Sequence, residues 1–149
     1  MNKKTISIIL LTVFLITIIV TLANVFLNDE NTPENQTGTI TLKNKTINYE
    51  KTGKCLEVID GNTIQVYGIG RVQLLQIGSP TSEAKDFVSD RCLGKTVYLD
   101  IDDAQPKDSY GRTLAIVYTD HEDINRELLD NGFAKISYFS PSEFKKGEV

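Results

Sequence analysis

Between Val58 and Thr81 the chain reads VIDGNTIQVYGIGRVQLLQIGSPT, and this stretch narrows the fold more than any other. Two runs of alternating apolar and polar residues, Thr63–Tyr67 and Arg71–Ile77, are separated by Gly68 and Gly70. Period-two alternation marks strands buried on one face, and glycines between such runs mark tight reversals. An Asp60-Gly61 turn precedes the runs and a Ser79-Pro80 break follows them. The pattern predicts a curled antiparallel meander, with Lys54–Ile59 as its first strand. It brings Asp60, Asn62, Gln73, Gly78 and Ser79 to one rim, the natural place for a site.

The rest of the chain supplies what a barrel needs. Ser79 can cap a helix with Pro80 at its first position. Ala84, Phe87, Val88 and Cys92 then fall on one face, and Gly94 ends the segment. Thr96–Ile101 and Thr113–Tyr118 are the fourth and fifth strands, joined by the turn-rich loop Asp102–Gly111. Asp123 can cap a second helix that buries Ile124, Leu128 and Leu129 and stops at Gly132. Ala134–Tyr138 is extended. Five strands, with one helix after the third and one after the fifth, fit an OB-type barrel. The expected class is therefore mainly β with helices (α+β): a five-stranded OB-fold barrel preceded by one N-terminal transmembrane helix.

That preceding helix is read from Ile6–Leu27, ISIILLTVFLITIIVTLANVFL. About 20 apolar residues span a bilayer. Lys3 and Lys4 on one flank, with Asp29 and Glu30 on the other, place the N-terminus inside. A cleaved signal peptide is the alternative, although its apolar region is usually only 7–15 residues long. Both readings put the remainder outside the cytoplasm, membrane-anchored or secreted. Residues 1–27 are thus an anchor or signal, 28–53 a tether with a short hairpin over Thr39–Tyr49, 54–139 the barrel domain and 140–149 a C-terminal tail. Asn35 and Asn44 begin glycosylation triplets, which are frequent by chance.

Charge and composition restrict the partners. Only Lys3 and Lys4 of the 16 basic residues precede the apolar run, so 14 basic face 20 acidic residues beyond it, net −6. Such a domain gains little from counterion release on a phosphate backbone. With one histidine, His121, and two cysteines, a zinc site is not expected. In a compartment that permits disulfides, Cys55 and Cys92 are candidates for a bridge stabilising by roughly 3–4 kcal/mol. Two buried thiols are the alternative.

The strings Val58-Ile59-Asp60-Gly61-Asn62-Thr63, Val72–Pro80, Asp108-Ser109-Tyr110-Gly111-Arg112-Thr113-Leu114-Ala115 and Ile124-Asn125 to Gly132-Phe133-Ala134 resemble the staphylococcal nuclease (thermonuclease) family in order and spacing. The match covers roughly Cys55 to Tyr138. The resemblance implies an OB-fold whose active members cut DNA and RNA with one Ca²⁺. Those members use D-G-D, an Arg in the third strand, D-T-P-E after it, and the Arg of Y-G-R.

This chain departs at most of those places. Asn62 stands for the second Asp, Gln73 for the third-strand Arg, and Gly78-Ser79-Pro80-Thr81 for D-T-P-E. Of the catalytic set Arg112 alone matches. Tyr110 and Tyr138 match aromatic positions that in the family face the nucleotide. Hydrolysis needs anionic ligands for a hard cation, cationic donors for the phosphate and a base for the water. The degenerate positions Asn62, Gly78 and Ser79 leave no metal expected. Arg71, two residues before Gln73 on the same strand face, and Glu83, two places after Thr81, are the stand-ins to examine.

The ligand-binding candidates are accordingly Asp60, Arg71, Gln73, Tyr110, Arg112 and Tyr138, with Gln65 on the same curved face. The expectation is a monomeric binding or interaction module for an oligonucleotide, a sugar or a protein, with catalysis and cofactor lost. The alternative is a weak Ca²⁺-dependent phosphodiesterase.

Overall fold

The computed structural model describes Asn2, residues 10–18 and residues 37–149, and the chain divides into two units, Met1–Thr32 and Pro33–Val149. In the first, residues 10–18 are helical (α1), with Leu10, Leu11, Val13, Phe14, Leu15 and Ile16 exposed. Among the described residues no helix is long and apolar enough to cross a membrane. Most of the expected Ile6–Leu27 span, and most of the tether with Asn35, lie outside the described residues.

The second unit opens with a hairpin, β1 (Gly38–Leu42) and β2 (Lys45–Tyr49). Its two turn residues, Lys43 and Asn44, have φ of 46° and 69°. Positive φ at both positions is the turn whose twist matches that of the flanking strands. Then follow β3 (Lys51–Asp60), β4 (Thr63–Val66), β5 (Gly70–Leu74), β6 (Ile77–Gly78), α2 (Ser82–Cys92), β7 (Thr96–Ile101), β8 (Thr113–Tyr118), α3 (Ile124–Asp130) and β9 (Lys135–Ile136).

Five of these strands close a barrel in the order β3-β4-β5-β8-β7. The long β3 makes this possible: Lys51–Lys54 pair with β7, and Cys55–Asp60 pair with β4 through two register shifts. Irregularities of that kind bend a strand and raise its twist. The β5–β8 pair is parallel and the other pairs are antiparallel. The expected mainly-β barrel is therefore present, and β6 with β9 adds a separate two-stranded ribbon.

The barrel interior is apolar. Ile64, Val66, Val72, Val97, Leu99, Ala115 and Val117 are fully buried, and Ala84, Phe87, Val88 and Cys92 of α2 join them with Ile124 and Leu128 of α3. Alternate residues of β8 go elsewhere: Ile116 and Tyr118 belong to a second cluster with Leu42, Ile47, Leu75 and Val149. Both faces of β8 are thus covered, which explains its nearly unbroken apolar run. The tail takes part, since Val149 is buried and Phe144 packs against the same cluster. Gly61 allows α2 to lie against the β3–β4 turn, because a Cβ there would meet Ala84 Cβ at 2.6 Å and Pro80 Cβ at 2.7 Å.

Two expectations are corrected. Ser79 does not cap α2: its φ is 46°, in the left-handed region, whereas a cap residue is extended. The helix starts at Ser82 behind Thr81, whose amide donates to Phe133 O at 2.8 Å. Asp123, by contrast, caps α3 as expected, accepting from the Arg126 amide at 2.9 Å. The Cys55–Cys92 bridge is also absent. Both are buried free thiols, and Cys55 Sγ is turned to the Glu57 carbonyl at 3.6 Å. Burial pushes the Cys55 thiol up to about 11 and the Cys92 thiol up to about 12. Neither is a ready thiolate at neutral pH.

Candidate functional site

The string Asp108-Ser109-Tyr110-Gly111-Arg112 folds on itself before it reaches the site. Asp108 Oδ1 accepts from the amides of Tyr110 (2.9 Å) and Arg112 (3.0 Å), the local bonding that Asp favours in turns. Gly111 supplies the left-handed φ of 78° that this turn requires. Asp108 Oδ2 then takes the Arg112 Nε at 2.7 Å. Burial alone would raise the Asp108 carboxyl. Hydrogen bonds from the Arg112 amide and guanidinium and the Tyr110 amide, with the guanidinium charge, outweigh it and hold the carboxyl below the usual range.

Arg112 reaches into the rim from this anchored turn. Its Nη1 donates to Thr63 Oγ1 at 3.2 Å. Thr63 is buried on β4, directly opposite Gln73 on β5. Its hydroxyl lies 3.2 Å from both Gln73 Oε1 and Asn62 Oδ1, and one proton can serve only one of them. The two amide nitrogens converge beyond it. Asn62 Nδ2 donates to Ile77 O at 2.8 Å, and Gln73 Nε2 lies at 3.4 Å from the same oxygen. A neutral network therefore ties β4, β5 and β6 together.

All of these groups except Thr63 line a cleft of about 600 Å³. Asn62, Gln73, Gly78, Tyr110 and Arg112 border it, together with Gln76, Asp102, Gln105, Asp108 and Phe139. Asp60, Arg71, Ser79 and Tyr138 do not. Asp60 Oδ1 accepts from the Asn62 amide at 2.9 Å, closing the Asp60-Gly61 turn. Arg71 is exposed on β5 opposite Gln65. Glu83 sits in the first turn of α2, where its own amide and the Thr81 and Ser82 hydroxyls hold its carboxyl below the usual range. Among the described residues no three His, Cys, Asp or Glu side chains are grouped to hold a metal ion.

Several residues here carried no signal strong enough to be picked out. Thr63 reads as a strand residue, yet it joins the guanidinium to the amides. Phe139, 73% exposed, borders the cleft where its neighbour Tyr138 was expected. Asp102 reads as loop, yet it is buried, and its Oδ1 accepts from the amides of Ala104, Gln105 and Glu143 at 3.1, 3.3 and 3.1 Å. Gln76 latches the tail by donating to Lys145 O and accepting from the Gly147 amide, both at 2.8 Å.

A family model described as staphylococcal nuclease homologue matches residues 72–148, from the third barrel strand through the tail. The chain belongs to the staphylococcal nuclease family. The chain is also similar to individual proteins. A thermonuclease of Staphylococcus hyicus is 36% identical over 108 residues, 62% of this chain and 63% of the relative. A thermonuclease of Staphylococcus intermedius is 32% identical over 101 residues, 58% and 60% respectively. An uncharacterized protein of Bacillus anthracis is 34% identical over 106 residues, 60% and 50%. The chain thus spans between 50% and 63% of the length of these relatives. Within the staphylococcal nuclease fold, the Arg112 turn and the Asn62–Gln73 rim occupy adjoining strands of one barrel wall, β8, β4 and β5.

Proposed function

We propose that this chain is a membrane-tethered, extracytoplasmic domain of the thermonuclease type that binds a ligand at its cleft and has lost metal-dependent phosphodiester cleavage. One observation carries the reading: the amides of Asn62 and Gln73 both point at the Ile77 carbonyl. Where a hard cation would need anionic oxygens, this rim presents N–H donors already matched to an acceptor. The residues present do not fit Ca²⁺. Asp60 is engaged with the Asn62 amide, and Gly78 and Ser79 offer no side-chain carboxylate.

The cationic side of the chemistry is equally thin. Among the described residues Arg112 is the one guanidinium bordering the cleft, and it is bonded to Asp108 and Thr63. Loss of a single transition-state donor costs about 10²–10³ in rate. Loss of donor, ligands and base together leaves almost nothing, although such effects do not simply add. The exposed apolar side chains of α1 and the apolar sequence around it support the membrane tether.

The second reading, a weak Ca²⁺-dependent phosphodiesterase, is favoured by Arg112 itself and by the thermonuclease names of two relatives. Incubation with single-stranded DNA in millimolar Ca²⁺, beside an EDTA control and an Arg112→Ala variant, decides between them. The expected outcome is no metal-dependent product. Cleavage abolished by both EDTA and Arg112→Ala overturns the proposal.

A further inference from the structure

We infer that the cleft between Tyr110, Phe139 and Asp102 takes an uncharged saccharide unit rather than a phosphate polymer. The inference rests on the binding-module reading above and names its ligand class. Three features of the cleft carry it.

The first is charge. Among the described residues, the charged ones bordering the cleft are Asp102, Asp108 and Arg112, a net of one negative charge, with no lysine. Arg112 is moreover paired with Asp108 at 2.7 Å. Binding to a nucleic-acid backbone draws most of its strength from cations that displace counterions, one for each neutralised phosphate. This wall repels such a polymer and is indifferent to a neutral polyol.

The second is the pair of rings. Tyr110 is 84% exposed and Phe139 73% exposed, and both border the cleft. Large rings left in water at a concave site are held there at a cost in hydration. Arg112 Cζ lies 5.5 Å from the Tyr110 ring centroid and steadies that ring. The apolar face of a pyranose, with its axial C–H bonds, offers a flat partner to such a platform. OB barrels use this wall for oligosaccharides as well as oligonucleotides.

The third is an acceptor without a donor. Asp102 is 1% exposed, and among the described residues its Oδ2 has no hydrogen-bond partner although Oδ1 has three. A buried carboxylate oxygen left unmatched costs about 1–3 kcal/mol or more, so a donor is expected there. A polyol brings hydroxyl donors at close spacing. Gln105 stands beside it with no side-chain hydrogen bond among the described residues. The volume of about 600 Å³ lies within the range typical of small-molecule clefts.

The test is saturation-transfer NMR on the full chain in a detergent without sugar headgroups. The probes are maltotriose, cellotriose and the N-acetylglucosamine trimer, with a hexathymidylate as competitor. Transfer to the ring protons of at least one trisaccharide is expected. The apparent Kd should weaken about tenfold or more in both Tyr110→Ala and Phe139→Ala, exposed positions whose variants keep the wild-type melting curve. A tenfold excess of the oligonucleotide should leave the signal unchanged. Three results overturn the inference: no transfer from any trisaccharide, transfer untouched by both variants, or displacement by the oligonucleotide, which would make nucleic acid the occupant. The DNA cleavage assay is scored independently. Metal-dependent cleavage defeats the binding-module reading whatever the sugars do, and silence in both assays defeats the saccharide alone.

Discussion

Two polar networks, one at the cleft rim and one at the junction of α3 with β8, are built differently. At the rim, Arg112, Thr63, Gln73 and Asn62 bond largely through side chains, at 3.2–3.4 Å for most links, beside an open cleft. At the helix junction, Asn125 of α3 is fully buried, and among the described residues its side chain bonds to backbone alone. Its Oδ1 accepts from the Val117 amide at 3.0 Å, and its Nδ2 donates to Leu75 O at 2.9 Å. A carboxamide in that position fastens a helix to two strands, β8 and the end of β5, and cannot be re-aimed. The rim network joins groups that could each turn to a ligand. The contrast teaches where stability resides and where binding can be tuned.

The largest predicted effect breaks the buried side. Asn125→Ala leaves the Val117 amide and the Leu75 carbonyl without partners in the core. It should destabilise by about 3 kcal/mol, a loss readable in urea unfolding. A loss below about 1 kcal/mol would mean that Asn125 fills space rather than fastens α3.

A smaller effect tests what burial does when partners are of the wrong sign. Asp100 of β7 is half-buried, and burial, then the charges of Glu50, Glu143, Asp103 and Asp123, push its carboxyl up to about 7. Glu50 itself accepts from the Ile101 amide at 2.7 Å, and Glu143 holds the Asp103 amide, so neither can swing away freely. With the folded pKa raised above the ordinary 3.8, the contribution to stability is complete below about pH 4. It is lost as pH rises towards and through 7. Asp100→Asn should therefore flatten that fall and add about 1–2 kcal/mol at pH 8, after allowance for solvent screening. Equal melting temperatures for variant and wild type across pH 4–8 would show that these carboxylates are already relaxed by water.

The smallest effect sharpens the rim side. Thr63→Val keeps the shape and removes the hydroxyl between Arg112 and Gln73. It should cost about 1 kcal/mol in stability. Cleft ligand affinity should shift more than that, because the guanidinium loses a restraint. Titration of the trisaccharide probes against both proteins checks this ordering, and a stability loss near that of Asn125→Ala would erase the distinction between the two networks.

How far the sequence revealed this depends on the kind of signal. The barrel strands were legible because alternation in Thr63–Tyr67 and Arg71–Ile77, and the apolar run of β8, record burial directly. The Asp108–Arg112 turn was legible because its bonds are local. Thr63, Gln76, Asp102 and Asn125 were not, since each acts through partners remote in the chain, as Gln76 does with Lys145 and Gly147. The start of α2 was misplaced for a related reason: Phe133, far along the sequence, fixes Thr81 and leaves Ser79 left-handed. Phe139 differs from the expected Tyr138 by one position, which in extended chain is the difference between one face and the other.

The parallel seam between β5 and β8 has a consequence for how the molecule comes into being. Val72 meets Thr113 across that seam, so about 40 residues of chain must be gathered before the pairing is rewarded. During synthesis the outer edges of β5 and β7 stay open until β8 arrives to seal both. A ribosome that stalls between those points releases a half-built sheet with two sticky margins.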